Sequence, residues 1–255
     1  EFNAGQFTGI YRGNMEGITV RPHFVVKDQH DQKVFDADID IEMIEGKRHA
    51  QTLSVLLKWV DDHMGDLELV AVGHRIVHGG DHYDHGVLVT PEVIAELDAL
   101  TPLAPLHQPH NLRPIHIINE TRSALPQVAC FDTAYHRTHH PVSQVFALPK
   151  KYTEKGIKRY GFHGLSYHYI STVLSDYLPE EKANGRVLVA HLGNGSSACA
   201  IKNRKSYAST LGFTAIEGLP MGTRCGTLDP GVVLYLIEQE GLSPAEVNRV
   251  LYKES

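Results

Sequence analysis

Residues 187–202 read VLVAHLGNGSSACAIK: an apolar, β-branched run, a polar and glycine-rich break at His191-Leu192-Gly193-Asn194-Gly195-Ser196-Ser197, and a second apolar run. Two strand-length runs around such a break predict a β-hairpin, with Asn194-Gly195 as a favoured two-residue turn. The same glycines admit another reading. Lacking Cβ atoms, they let successive backbone N–H groups converge on an anion, with the Ser196 and Ser197 hydroxyls as further donors. The loop has no Lys-Ser/Thr ending, so it is not a Walker A loop. Taken alone it fits a plain hairpin more simply than a phosphate cradle, and both readings stay open at this point.

Outward from the hairpin, helices and strands alternate. Residues 48–64 set Leu53, Leu56, Leu57 and Val60 on one helical face, with Gly65 as a stop. LELVAV (67–72) predicts a buried strand running into GHRIVHGG (73–80), which puts Arg75 near its carboxyl end. Thr90-Pro91-Glu92 opens a helix with a capping residue followed by proline. A helix over about 110–124 leads to the strand QVACFD (127–132), which gives out at Asp132. Beyond it come the turn KRYGFHG (158–164), an amphipathic helix over 165–178, the hairpin, a helix capped by Asp229-Pro230, and the proline-first capping box Ser243-Pro244-Ala245-Glu246. This grammar predicts an α/β fold with covered sheets, whose ligands collect at strand ends.

The 255 residues suffice for one large α/β unit or two modest domains. No window approaches the roughly 18 apolar residues of a membrane span, and residues 1–20 show no secretion signal. A net charge of −6 without a basic run argues against nucleic-acid binding. Three widely spaced cysteines, Cys130, Cys199 and Cys225, read as reduced, mostly buried thiols of a cytoplasmic protein. Histidine is abundant at 17 copies, yet HRTHH (136–140), HYDHG (82–86) and the pair His74 and His78 lack the helical context of a zinc-protease site.

The polar clusters at the strand ends carry the chemistry. Arg224 sits in the glycine-bordered loop GLPMGTRCGTLDPG (218–231), Arg75 in GHRIVHGG, His107 in APLHQPHN, His163 in RYGFHG and Asp132 at a third strand end. Arginines held in such loops suit bidentate recognition of phosphate or carboxylate. The set is rich in cations and poor in strong bases, and no G-x-S-x-G elbow is present. Phosphoryl transfer to a carboxylate fits it. The acceptor is already ionised at neutral pH, so the site has only to offset repulsion between anions and stabilise the spread charge.

In their order and spacing, GHRIVHGG, APLHQPHN, ACFDTAYH, RYGFHGLSY, VLVAHLGNGSSACAI and GFTAIEGLPMGTRCGTLDPG resemble the acetate kinase family, part of the actin, sugar-kinase and Hsp70 superfamily. The resemblance implies duplicated RNase H-like (actin-like ATPase) domains with mixed sheets flanked by helices, the first over 1–148 and an incomplete second over 149–255. It implies Mg²⁺-dependent, reversible transfer of the ATP γ-phosphoryl group to acetate, with Mn²⁺ as an alternative metal and ATP/ADP as co-substrate, in a cytoplasmic homodimer. By the same resemblance, Asp132, His163, Arg224 and His107 are catalytic, with Asp132 better read as an orienting group than as an acid. Arg75, Val77, Leu106 and Phe162 bind the acyl substrate; His191, Leu192, Gly193, Asn194 and Gly195 meet the nucleotide phosphates; and Asn3 lies near the metal.

Three departures from the family pattern stand out. Asn3-Ala4-Gly5 runs straight into Gln6-Phe7-Thr8-Gly9, where relatives carry a serine run and a lysine. The sequence ends at VLYKES, where relatives continue with the rest of the second domain, so ATP-dependent turnover is not expected of a 255-residue species. Ala215 stands where many relatives have proline and Tyr167 where many have a second histidine. Val77 keeps the bulk of an acetate-sized pocket, so acetate is expected over propionate. The alternatives are a propionate or other short-chain carboxylate kinase, or an inactive truncated member serving as a binding or oligomerisation module.

Overall fold

A computed structural model describes every residue except Glu1, Ala4, Gly5, Thr19, Ile41, Glu42, Met43, Glu45, Gly46 and Leu106, and describes the backbone alone at Phe2, Asn3, Gln6 and Phe7. The chain divides into two compact units, one of residues 1–70 with 116–123 and the other of residues 71–115 with 124–255. This division by compactness is distinct from the domain boundary expected after residue 148.

In the first unit, β1 (Phe2–Asn3) and β2 (Gln6–Phe7) form a minimal antiparallel pair. β3 (Tyr11–Glu16), β4 (His23–Asp28) and β5 (Lys33–Asp38) form an antiparallel meander. The meander was not anticipated; its only sequence signal is the period-2 burial of Phe24 and Val26 in β4. Those two pack with Trp59 of α1 (Arg48–His63), the helix expected from the apolar periodicity. The Trp59 ring meets Phe24 edge-on at 6.0 Å between centroids, and His63 stacks on its other side at 4.0 Å.

The second unit opens with a mixed sheet of β6 (Val72–Ile76), β7 (Val87–Leu88) and β8 (Gln127–Phe131), with β8 between the others, parallel to β6 and antiparallel to β7. The strand expected over 67–72 therefore starts where that prediction ends. Its parallel partner begins at Gln127, which pairs with Val72, so residues N-terminal to Val72 have no ladder to join, and Leu67 and Val70 stay exposed. Arg75 is consequently the penultimate residue of the strand.

α2 (Pro91–Ala99) is capped by Thr90, whose hydroxyl accepts from Val93 N–H, as its sequence predicts. α2 and α3 (Gln108–Thr121, whose residues up to Ile115 count with this unit) cover the sheet through Leu97, Leu112 and Ile115, which pack on Ile76, Ala129 and Phe131.

After two single turns, α4 (Pro141–Gln144) and α5 (Lys150–Thr153), come α6 (Gly164–Tyr177) and the turn α7 (Glu180–Ala183). The opening stretch is then the hairpin β9 (Arg186–Leu192) and β10 (Ser196–Lys202), extended by β11 (Lys205–Ser209) into an antiparallel sheet. Alternation puts Val187, Val189 and His191 of β9 and Ser197, Cys199 and Ile201 of β10 inward, where Tyr167 of α6 packs on them. α8 (Pro230–Glu238), capped by Asp229, and α9 (Pro244–Lys253), with the Ser243–Glu246 capping box, follow. The expected α/β class with mixed sheets is the observed one. All three cysteines are free thiols, but only Cys199 is fully buried; Cys130 and Cys225 are half-buried, which corrects the expectation of mostly buried thiols.

Candidate active site

The parallel register of β6 and β8 brings two expected residues together. Asp132 N–H donates to the Ile76 carbonyl at 2.9 Å, so the strand ends that carry Arg75 and Asp132 lie side by side. Arg75 then grips the carboxylate with two parallel hydrogen bonds, Nε to Oδ1 at 3.1 Å and Nη2 to Oδ2 at 2.7 Å. Asp132 is 1% exposed while the Arg75 side chain is 64% exposed, so a buried anion aims a cation outward. That hydrogen bond also raises the guanidinium pKa. Two of the five guanidinium N–H groups are spent on Asp132, and the other three remain for a ligand. Both carboxylate oxygens accept from arginine, which suits an orienting group better than a proton donor.

His163 is held in an unusual backbone conformation. It caps α6 at φ +60°, in the left-handed region that costs a non-glycine residue roughly 1–3 kcal/mol. The next residue makes this geometry feasible. Gly164 N–H donates to the Asp132 carbonyl at 2.8 Å, and a Cβ on Gly164 would lie 2.2 Å from that oxygen. Only glycine lets α6 start so close to the end of β8.

The bend turns the His163 ring towards the hairpin, where it stacks on His191 with centroids 4.1 Å apart. His163 Nδ1 hydrogen-bonds Ser197 Oγ at 2.8 Å, and His191 Nδ1 pairs with Ser166 Oγ at 3.0 Å.

His163 Nε2 and Arg224 Nη1 come together over the hairpin turn. A Cβ placed on Gly195 would sit 3.3 Å from His163 Nε2 and 3.4 Å from Arg224 Nη1. The glycine thus keeps open the space that the two donors share. Arg224 is anchored through Nη1, which donates to the Ala215 carbonyl at 2.8 Å.

His107 belongs to the same field. Its pKa is lowered first by burial, then by Arg224, Arg75 and His110, with Asp132 opposing. Burial, then the neighbouring His191, lowers His163 to about 4; Asp132 opposes this, and Arg75 and Arg224 add to it. Both imidazoles are therefore neutral at physiological pH and act as hydrogen-bond donors or acceptors without a charge.

Beside these groups lies an apolar cavity of about 260 Å³ lined by Val77, Leu103, Phe162, Phe213 and Ala215, with His107 at its polar side. Its back wall is a packed cluster in which Tyr160, Phe162 and Leu211 are buried. Val77 N–H donates to Asn111 Oδ1 at 2.9 Å, which fixes the backbone at its rim.

Most of the expected residues converge: Arg75, Asp132, His107, His163, His191, Gly195 and Arg224 around the donors, and Val77 and Phe162 at the cavity. Gly193 and Asn194 complete the turn, where Gly193 N–H donates to the Gly195 carbonyl. Leu192 carries its side chain on the outward face of β9, 76% exposed, and lends its backbone to the loop. Leu106 and the Asn3 side chain lie outside the described residues. Sequence reasoning missed Ser166, Leu103, Phe213 and Asn111. It named Ser197 as a donor to an anion, whereas the structure turns that hydroxyl inward to His163 Nδ1 and the Tyr167 hydroxyl.

For a divalent metal, the described site offers one carboxylate, already engaged by Arg75, and among the described residues no group of three or more His, Cys, Asp or Glu could hold an ion. Mg²⁺ is commonly held by one or two carboxylates together with substrate phosphates. This donor set suits an ion that arrives on a nucleotide.

A profile described as the Acetokinase family matches residues 11–255. An acetate kinase of Methylocella silvestris is 48% identical over 255 residues, all of this chain and 63% of that protein. An acetate kinase of Rhodopseudomonas palustris is 48% identical over 246 residues, 96% of this chain and 61% of that one. The crystal structure of Porphyromonas gingivalis acetate kinase superposes with a TM-score of 0.83 at 36% identity, over 96% of this chain and 62% of that chain. A propionate kinase structure from Francisella tularensis gives 0.85 at 33% identity over the same shares. The chain spans less than two thirds of the length of these relatives.

Proposed function

The chain belongs to the acetokinase family, and from that premise we propose that the protein of which it is part transfers the γ-phosphoryl group of ATP to acetate, reversibly, giving ADP and acetyl phosphate. The observation that carries this reading is the meeting of His163 Nε2 and the Arg224 guanidinium over Gly195, flanked by the outward-aimed Arg75 and a largely apolar cavity with room for a small acyl group. Acetate packs its methyl group against Val77 and Phe162, and its carboxylate meets the free N–H groups of Arg75. The acceptor oxygen attacks phosphorus in line, and the bond to the ADP oxygen breaks. No base is needed, because the carboxylate is ionised well below neutral pH.

Charge spread over the equatorial phosphoryl oxygens is met by Arg224 and by the N–H of neutral His163. Asp132 keeps Arg75 aimed. The backbone of Leu192, Gly193, Asn194 and Gly195, with His191, faces the nucleotide phosphates; the family roles of Leu106, with the acyl substrate, and of Asn3, with the metal, belong to the same proposal. Mg²⁺, or Mn²⁺ in its place, neutralises the phosphates when bound with ATP. A first domain over 1–148, a second begun at 149, a homodimer and a cytoplasmic location belong to the same proposal.

One observation favours a second substrate. Ala215 is small where it lines the cavity, so propionate fits the same wall. The test is ATP-dependent acyl phosphate formation by the complete protein with acetate and with propionate. Robust turnover with a higher kcat/KM on acetate is expected. A higher value on propionate reverses the substrate assignment, and no turnover on either leaves a binding or oligomerisation module as the better account.

A further inference from the structure

His163 can donate to a phosphoryl oxygen only if its proton sits on Nε2, and the groups behind the ring decide that. Ser197 Oγ lies 2.8 Å from His163 Nδ1 and is also hydrogen-bonded to the Tyr167 hydroxyl. Tyr167 and Ser197 are both fully buried, so neither hydroxyl can turn to solvent.

Three polar atoms in a row leave three ways to order the protons, because a serine hydroxyl donates once and accepts twice. In the first, Tyr167 donates to Ser197, Ser197 donates to His163 Nδ1, and the imidazole proton is on Nε2. In the second, His163 Nδ1–H donates to Ser197, Ser197 donates to Tyr167, and the buried phenolic hydrogen has no acceptor among the described residues. In the third, Tyr167 and His163 Nδ1–H both donate to Ser197, and the buried serine hydrogen is the one left without an acceptor among the described residues. Leaving a buried donor unpaired costs the desolvation of that group, so the first order wins. The phenol, more acidic than an alkyl hydroxyl, is also the better donor of the two. The His191 backbone amide interacts with the same phenol oxygen, which leaves the phenol its own proton to give.

We propose that Tyr167 and Ser197 are positioning residues whose hydroxyls form a proton-ordered chain, Tyr167 to Ser197 to His163 Nδ1, which holds His163 as the Nε2–H tautomer facing the space beside Arg224. Resting on the phosphoryl-transfer reading, this deepens it: the imidazole meets the phosphoryl group as an uncharged donor. The opposite tautomer would set a nitrogen lone pair against phosphoryl oxygens.

The test combines a spectroscopic and a kinetic readout on the complete protein. With ¹⁵N-labelled histidine, and His163→Gln to assign the signal, long-range ¹H–¹⁵N spectra without substrates report which ring nitrogen of His163 carries the proton. Wild type is expected to show Nε2–H with a bare Nδ1. Tyr167→Phe, which keeps the ring, and Ser197→Ala are each expected to give mixed tautomers and a roughly ten-fold lower kcat with unchanged KM for acetate.

A wild-type proton on Nδ1, or a Tyr167→Phe protein with unaltered spectrum and kcat, overturns the relay. Should one variant fail to fold, the wild-type spectrum and the other variant still decide. Expected spectra in a protein that forms no acyl phosphate would overturn the reaction assignment and leave the relay standing.

Discussion

Two buried histidine clusters in the second unit are built from the same parts and end differently. In one, His136 Nε2–H donates to the Phe162 carbonyl at 2.9 Å, which leaves Nδ1 to accept from Ser206 at 2.8 Å. Ser206 Oγ in turn accepts from His139 Nε2–H at 2.7 Å and touches Cys199. Every one of these hydrogen-bonding atoms is spent inside the protein. In the other, Ser197 stands between Tyr167 and His163, and the His163 Nε2 atom is left facing open space beside Arg224.

The first cluster holds the backbone of Phe162, and the second displays the residue that follows it. A closed network rigidifies, whereas a network with one ring atom unspent can do chemistry.

The sharpest way to break this contrast is Arg224→Ala in the complete protein, which removes the cation beside the unspent nitrogen. We expect kcat for acyl phosphate formation to fall about 10²- to 10³-fold, with a smaller change in nucleotide binding. Unchanged kcat with weakened ATP affinity would contradict the role given to Arg224. Next is Gly195→Ala, whose methyl enters the gap between His163 Nε2 and Arg224 Nη1. A loss in kcat of roughly ten- to hundred-fold is expected without loss of stability, measured by steady-state kinetics beside a urea melt.

Ser206→Ala probes the closed cluster and should behave in the opposite way. It strips His136 Nδ1 of its donor in a buried site, so unfolding free energy should drop by about 1–3 kcal/mol while kcat stays near wild type. A kcat loss with intact stability would mean that the two clusters are not separable.

The most gradual of these effects is acid sensitivity. Burial holds His136 at about 3 and His139 at about 4, and His78 and His163 also at about 4, below the ordinary 6.5. Between those values the unfolded chain binds protons that the folded one does not. Stability is therefore fully present above about pH 6.5 and declines as pH falls towards 4, by about 1.4 kcal/mol per pH unit for each such histidine. Thermal midpoints measured across this range test the sign; a midpoint that rises on acidification would refute it.

Legibility in the sequence followed the range of the interactions. The hairpin, the caps at Thr90, Asp229 and Ser243, and the strand end at Asp132 were readable because their causes lie within a few residues. The start of β6 was misread because it depends on Gln127 of its partner, and the meander of β3 to β5 was overlooked because its apolar face is only partly filled by its own strands and needs Trp59 of α1. At the site, residue types at strand ends named most members. Asn111 was missed, and Ser197 was aimed at an anion when it faces His163, because an asparagine or a serine announces nothing of its partner until the chain folds.

The sequence by itself determined the order of elements, the turn HLGNGSS as a hairpin, and the cation-rich company of Arg75, His107, His163 and Arg224. Periodicity, caps and turns are local properties of the chain. Only the tertiary structure decided what those residues are: that Asp132 spends itself on Arg75, 57 positions away, and that His163 is neutral and backed by Ser197, 34 positions away. Protonation, tautomer and aim are set by burial and by partners that folding alone brings within hydrogen-bond distance.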